Sequence, residues 1–289
     1  MESSRALLLM AVTVAAIGLA GANFRDDCDI PWAPENAYFS PDGHSLTMSL
    51  PRENSGCALQ TKKQFIYGSV STLIKLIPGD SAGTVTTYYT SSAMDSNKKH
   101  DEIDFEFLGN ETGQPYTIHT NIFVDGVGNR EMQFVPWFNA TDGYHNYTIS
   151  WTPCMVVWYV DSVPIRVFRN FSKEGVPFPV TRPMYAYSTL WEADDWATQG
   201  GRVKTNWANA PFVASYQDMV VDVCSCASGD YYCADNCKAK YYGYDQQYYC
   251  GGLQPDQAKA MLELQQKYRI YDYCVKYRAA NKECDLQQY

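Results

Sequence analysis

Between His100 and Phe107 the chain alternates polar and apolar residues almost without a break, as His100-Asp-Glu-Ile-Asp-Phe-Glu-Phe107. A period of two restricts such a segment to a strand, because successive side chains on an extended backbone point to opposite faces. One face carries His100, Glu102, Asp104 and Glu106; the other carries Ile103, Phe105 and Phe107 as a core-facing stripe. Three carboxylates at alternate positions repel one another and raise one another's proton affinity. A strand that needed only solubility would mix signs. The acidic face is therefore a candidate site of chemistry.

The surroundings of this strand are also β. Short alternating or β-branched runs occur at Ser45–Leu50, Ser69–Leu76, Thr84–Thr90, Asn146–Trp151, Val156–Val160 and Met219–Val223. Turn clusters such as Pro41-Asp42-Gly43, Pro78-Gly79-Asp80 and Asp125-Gly126 separate them. Many short strands punctuated in this way, with no long amphipathic helix before residue 224, predict an all-β sandwich. The sandwich is expected over residues 23–223. Residues 224–254, rich in Cys, Tyr and Gly, predict a disulfide-held loop. Pro255 followed by Ala258, Met261 and Leu262 on one face predicts a helix over Gln257–Lys267, and Tyr268–Cys274 alternates like a last strand. Residues 224–289 are expected to form an extension packed on the sandwich.

The ends and the composition bear on where the chain works. Residues 1–22 carry Arg5, an apolar run from Ala6 to Ala20 and the small-residue site Ala20-Gly21-Ala22, which together predict a secretory signal peptide. The mature protein is then expected to be exported, outside any membrane, with a monomer as the default. Ten cysteines suit an oxidising compartment, and seven of them follow residue 223, which concentrates the stapling at the C-terminal end. Four N-x-[ST] sequons begin at Asn110, Asn139, Asn146 and Asn170. A net charge of −9 argues against nucleic acid as a partner. The 23 Tyr and seven Trp offer flat faces for sugar rings, although many such rings simply fill β-rich cores.

The acidic strand suits glycoside cleavage. Four residues of strand separate the Cα atoms of Glu102 and Glu106 by about 13 Å, and two leaning Glu arms can bring the carboxyls to about 5–6 Å. In a retaining scheme one carboxylate attacks the anomeric carbon and the other, kept protonated, donates to the leaving oxygen. Asp104 between them can hold the two proton affinities apart. A divalent-metal site on the same acids with His100 is the competing chemistry, but the strand lacks the ligand spread and turn of a calcium loop. No metal or cofactor is expected.

At His100–Gly109 the sequence resembles the xyloglucan endotransglucosylase/hydrolase family, part of glycoside hydrolase family sixteen. The resemblance is long. It includes Tyr67-Gly68, Ile74–Val85, His119-Thr-Asn121, Gly128-Asn-Arg-Glu131, Tyr159-Val-Asp161, Pro164-Ile-Arg166, Leu190–Thr198 and Ala210-Pro-Phe212. It implies a concave β-jelly-roll sandwich whose groove holds the polysaccharide, and a secreted enzyme of the cell wall and apoplast. By the same resemblance Glu102 is the nucleophile, Glu106 the general acid/base and Asp104 the assisting residue. His119, Thr120, Asn121, Asn129, Arg130 and Glu131 match segments that contact sugar, and Asp195, Trp196, Gly200 and Arg278 match the acceptor side. Asn110 matches the glycosylated asparagine, and the implied disulfides are Cys224–Cys233 and Cys274–Cys284. The implied partners are donor and acceptor xyloglucan chains. Predominant hydrolases of the family resemble one another in a longer loop after Asn121, so the short Val124–Arg130 here implies a transferase. An endohydrolase or another endo-β-glucanase is the alternative on the same fold. A cell-wall lectin is the non-enzyme alternative, and it has no need of all three carboxylates.

The chain departs from the family at its entrance, Asp29-Ile-Pro-Trp-Ala, in the Tyr-rich stretch Tyr231–Tyr249, and in the further cysteines Cys28, Cys57, Cys154, Cys226, Cys237 and Cys250.

Overall fold

The computed structural model describes residues 21–289 except 95, 98, 228, 231, 243–249 and 251, and the side chains of 240–242. The expected signal peptide therefore lies, apart from its last two residues, outside the described residues. So do residues 231 and 243–249 of the Tyr-rich stretch.

Among the described residues, fifteen antiparallel strands build two layers. The groove layer runs, neighbour to neighbour, through β1 (Cys28–Trp32), β4 (Gly56–Thr61), β13 (Met184–Glu192), β6 (Thr84–Ser92) and β7 (Glu102–Leu108). It continues through β8 (Thr117–Phe123), β9 (Met132–Phe134) and β15 (Arg269–Asp272). The back layer runs through β2 (Ala37–Phe39), β3 (Ser45–Leu50), β14 (Phe212–Cys226) and β5 (Gln64–Lys75). It ends with β10 (His145–Trp151), β11 (Met155–Val160) and β12 (Val163–Arg169). The layers meet at one corner, where Met184 of β13 pairs with Phe65 of β5.

Period-two alternation makes this packing work. Ile103, Phe105 and Phe107 are wholly buried between the layers, and the rings of Phe105 and Phe107 lie 5.7 and 4.5 Å from that of Tyr147 on β10. A buried Phe contributes about 1.5–3 kcal/mol, so this stripe firmly fixes which face of β7 points away from the core. Trp158 of β11 adds a directional contact, its indole N–H donating to the Asp104 carbonyl across the layers at 2.9 Å.

The C-terminal region departs from expectation in four places. First, β14 continues unbroken to Cys226, and a helix occupies Cys233–Tyr242 where a loop was expected. Second, the helix Pro255–Tyr268, with Pro at its first position and a Gln254–Gln257 cap, buries Met261 and Leu264 and leaves Leu262 exposed. Ala258 and Met261 lie on the side packed against β12 as expected, but the buried face is turned by about a quarter turn, so that Leu264 takes the place of Leu262. Third, Cys224 does not pair with Cys233. Cys224 and Cys226 share one face of β14, and Cys233 and Cys237 share one face of the helix. The chain reverses between them, so the inner pair closes as Cys226–Cys233 and the outer pair as Cys224–Cys237. Cys274–Cys284 and Cys154–Cys250 are also joined. Fourth, Tyr268–Cys274 splits into β15 and a one-turn helix at Tyr273–Lys276.

Candidate active site

With the apolar stripe of β7 turned inward, Glu102, Asp104 and Glu106 emerge on the floor of a groove that runs across the strands. Antiparallel register places their neighbours. Asp104 lies between Tyr89 of β6 and Asn121 of β8, Glu106 between Thr87 and His119, and Glu102 between Ser91 and Phe123. The Asp104 row extends through Tyr89 to Tyr187 and Gln60 on β13 and β4. The Glu106 row extends through His119 to Gln133 of β9.

On the β6 side the carboxylates open into a cavity of ≈ 410 Å³ lined by Trp32, Thr87, Tyr89, Thr189 and Trp191. The Trp32 ring lies across Gly56, where a Cβ would sit 2.7 Å from the indole and 2.3 Å from the Leu190 carbonyl. Gly56 also has φ +141°, a conformation that other residues rarely adopt. On the β8 side a cavity of ≈ 750 Å³ is lined by His119, Asn129, Arg130, Glu131 and Gln133, with Tyr271 and Tyr277 from the C-terminal region.

Burial dominates the electrostatics. Asp104 is fully enclosed, and desolvation, then the charges of Glu102 and Glu106, push its carboxyl well above the usual range. Its neutral form is therefore favoured, and a proton held there would in turn favour the charged form of Glu102. Burial also raises Glu102, but hydrogen bonds from Ser91 and Asp104 oppose that rise and favour its charged form. Glu106 has no such donor. Burial, then Glu102 and Glu131, push it up to about 7. Two like residues four apart are thus given different proton affinities by their surroundings.

His119 is held neutral. Burial, then the cationic Arg166, lower it to about 4. The Gln133 amide lies 3.1 Å from Nδ1; when it donates there, the ring proton sits on Nε2, 3.7 Å from Glu106. Beyond Glu102, His100 lies 3.9 Å from its carboxylate and stacks on Phe123. Next to it the buried Asp101 accepts from Arg182 at 2.9 Å and from the backbone N–H of Asp125 at 2.9 Å, which fixes the short turn after Phe123.

The sugar-contact residues expected from the sequence do not all reach the groove. His119, Asn129, Arg130 and Glu131 line it. Asn121 shares the groove face with Asp104, and its side-chain oxygen also accepts from the Arg130 backbone N–H at 3.1 Å. Thr120 points the other way. It alternates with its neighbours into the interior, where its carbonyl and hydroxyl accept from the buried Arg166 at 2.8 and 2.9 Å. Trp196 sits edge-on to His119 at 6.3 Å, while Asp195 and Gly200 are exposed on the same loop. Thr198 anchors that loop by accepting from the Gly83 N–H and donating to the Gly109 carbonyl. Arg278 lies apart, 62% exposed and paired with Asp285, lining a separate cavity. Asn110, just past β7, donates its amide to the Pro115 carbonyl.

The sequence reading missed Thr87, Tyr89, Thr189, Trp191, Gln133, Tyr271 and Tyr277. The β6 and β9 members stand in cross-strand register with Asp104, Glu106 or His119, so a correct strand pairing would have found them. Glu283 was also unforeseen. It is buried 2.7 Å from the Arg130 guanidinium and ties the C-terminal region to the β8–β9 loop. Truncating Glu283 to alanine strands a buried cation, and stability is expected to fall by about 3–5 kcal/mol in urea unfolding. A loss below ~1 kcal/mol would show that the loop does not depend on this pair.

Comparison with known proteins agrees with this geometry. The family model described as glycosyl hydrolases family 16 matches residues 24–209. The probable xyloglucan endotransglucosylase/hydrolase protein 12 of Arabidopsis thaliana is 52% identical over 219 residues, 75% of each chain. Xyloglucan endotransglucosylase protein 7 of Diospyros kaki is 44% identical over 262 residues, 88% of this chain and 92% of the relative. Among solved structures, the Bacillus licheniformis beta-glucanase superposes with a TM-score of 0.52 at 23% identity, covering 69% of this chain and 86% of that one. That last likeness speaks for the jelly-roll fold alone. From the acidic strand, the groove and these relatives together, the chain belongs to the xyloglucan endotransglucosylase/hydrolase family, within glycosyl hydrolase family 16.

Proposed function

We propose that this chain is a retaining xyloglucan endotransglucosylase: it cuts the β-1,4-glucan backbone of one xyloglucan chain and joins the new end to another. The observation that carries this reading is the alternation of Glu102, Asp104 and Glu106 on the groove floor, each in a different protonation environment. In the first half-reaction Glu102 forms a bond to the anomeric carbon as the glycosidic C–O bond breaks. The Glu106 proton goes to the leaving oxygen. In the second, an acceptor hydroxyl gives its proton to the Glu106 carboxylate, its oxygen bonds to the anomeric carbon, and Glu102 is released. Asp104 stays protonated, donating to Glu102 and keeping it charged until it attacks.

Water competes with the acceptor at the second step. The aromatic and polar walls of the β8-side cavity would raise the effective concentration of a bound sugar hydroxyl over water. The turn at Val124–Val127 is closed by its own backbone bonds and held by Asp101, so it leaves the groove open for a second polymer chain. In this reading residues 23–223 form the catalytic unit, residues 224–289 complete the acceptor side, and the enzyme works outside the cell on wall polysaccharide.

The test is incubation with xyloglucan and labelled xyloglucan oligosaccharides. Label entering the polymer without matching new reducing ends is the expected result. New reducing ends that form regardless of added acceptor would make the chain an endohydrolase.

A further inference from the structure

Of the four sequon asparagines, Asn139 is the most exposed; Asn170 shares its local turn geometry, through Ser172, but has its amide nitrogen engaged. Asn139 is exposed, on the loop between β9 and β10. Its side-chain oxygen accepts from both the backbone N–H of Thr141 at 3.1 Å and the Thr141 hydroxyl at 2.9 Å. Those bonds hold the amide plane still and leave Nδ2 with no partner among the described residues.

The other sequons are more engaged. Asn170 donates Nδ2 to the Pro153 carbonyl at 2.7 Å. Asn146 sits half-buried in β10, laddered to β5 on one side. Asn110 donates to Pro115.

Asn139 and Asn110 also border one surface cavity. It measures ≈ 380 Å³ and includes both sequons, Asn110 with Thr112 and Asn139 with Thr141. Its apolar wall is Pro136, Phe138 and Tyr116. Phe138 is braced from behind by His145, stacked at 3.7 Å, so its ring is fixed. A rigid aromatic beside an exposed, free asparagine amide suits the apolar face of a pyranose attached to that amide. None of these residues lines the catalytic groove.

We infer that Asn139 carries an N-linked glycan whose first N-acetylglucosamine rests in this cavity, against Phe138 and Tyr116. The inference rests on the export reading, because the modification belongs to the secretory pathway. The donor is a lipid-diphosphate-linked oligosaccharide. The amide nitrogen bonds to the anomeric carbon as the bond from that carbon to the diphosphate oxygen breaks. The lipid diphosphate leaves, and the amide gives up one proton. The glycan then covers apolar surface that would otherwise face water, and the enzyme's activity does not depend on it.

The full chain, expressed with its own leader in a eukaryotic secretory host, provides the test through glycopeptide mass spectrometry of protein from the medium. Asn139 is expected to be modified, and both Asn139→Gln and Thr141→Ala should lose one glycan while keeping wild-type transfer activity. Exported protein with Asn139 bare overturns the proposal. Protein that stays in the cell with residues 1–22 attached overturns the export reading and the proposal with it. An Asn110→Gln background tests the seat of the first sugar. Trimming the remaining glycan to a single N-acetylglucosamine should leave the melting temperature unchanged, and complete removal should lower it by about 2–4 °C. A full loss on trimming alone would overturn the seating against Phe138.

Discussion

Replacing Glu102 with alanine is expected to abolish cleavage and transfer together, by at least ~10⁴-fold, while leaving a folded protein. Both reactions fail because, in the proposed mechanism, both pass through the same bond from Glu102 to the anomeric carbon. The fold survives because Glu102 contributes to the groove floor and not to the core: its neighbours Ile103 and Phe105 supply the buried contacts of β7. Removing one of three crowded carboxylates also relieves repulsion on Asp104 and Glu106. A small external nucleophile such as azide can enter the space left by the side chain. It would attack from the face that the carboxylate occupied and trap a donor-derived product of inverted configuration. Circular dichroism and melting should match wild type. Turnover within ~10-fold of wild type would remove Glu102 from the nucleophile's role.

The same strand shows what was legible in the sequence and what was not. Alternation is a local property, so the faces of β7 and the grouping of Glu102, Asp104 and Glu106 could be read directly. Strand pairing is not local. Tyr89 and Thr87 stand beside Asp104 and Glu106 only because β6 pairs with β7 in one register, and no feature of Thr84–Thr90 announces that register. Thr120 illustrates the reverse error. Motif resemblance grouped it with His119 and Asn121, yet one step along a strand turns a side chain to the opposite face, where Thr120 holds Arg166. The cysteines failed for a third reason. Their pairing depends on how the helix Cys233–Tyr242 folds back on β14, and the spacing of cysteines along a chain does not encode that return.

Glu106→Gln should separate the acid role of this residue from its cost to the fold. Glu106 is pushed from an ordinary 4.5 to about 7, by burial first and then by the charges of Glu102 and Glu131. Donor cleavage needs its proton, so the cleavage rate of the wild type should fall as pH rises through about 7. Once the glycosyl-enzyme forms, the charge on Glu102 is gone, and with it the second-largest cause of the raised value. Glu106 then releases its proton more readily, and the same group serves as base for the acceptor. Glutamine can do neither, and the variant should lose ~10²–10⁴-fold, with no decline in its residual rate as pH rises through that range. Stability should move in the opposite direction. A carboxyl with a raised folded value favours the fold fully below 4.5, and that contribution is lost as pH rises to about 7. At pH 8 the wild type therefore bears a penalty of up to ~3 kcal/mol that the neutral amide avoids. At pH 4 both side chains are uncharged, and the difference should vanish. Urea unfolding of both proteins at the two pH values measures it. Equal stability at pH 8 would mean that Glu106 ionises normally in the fold, and the proton donor would have to be sought elsewhere on the groove floor.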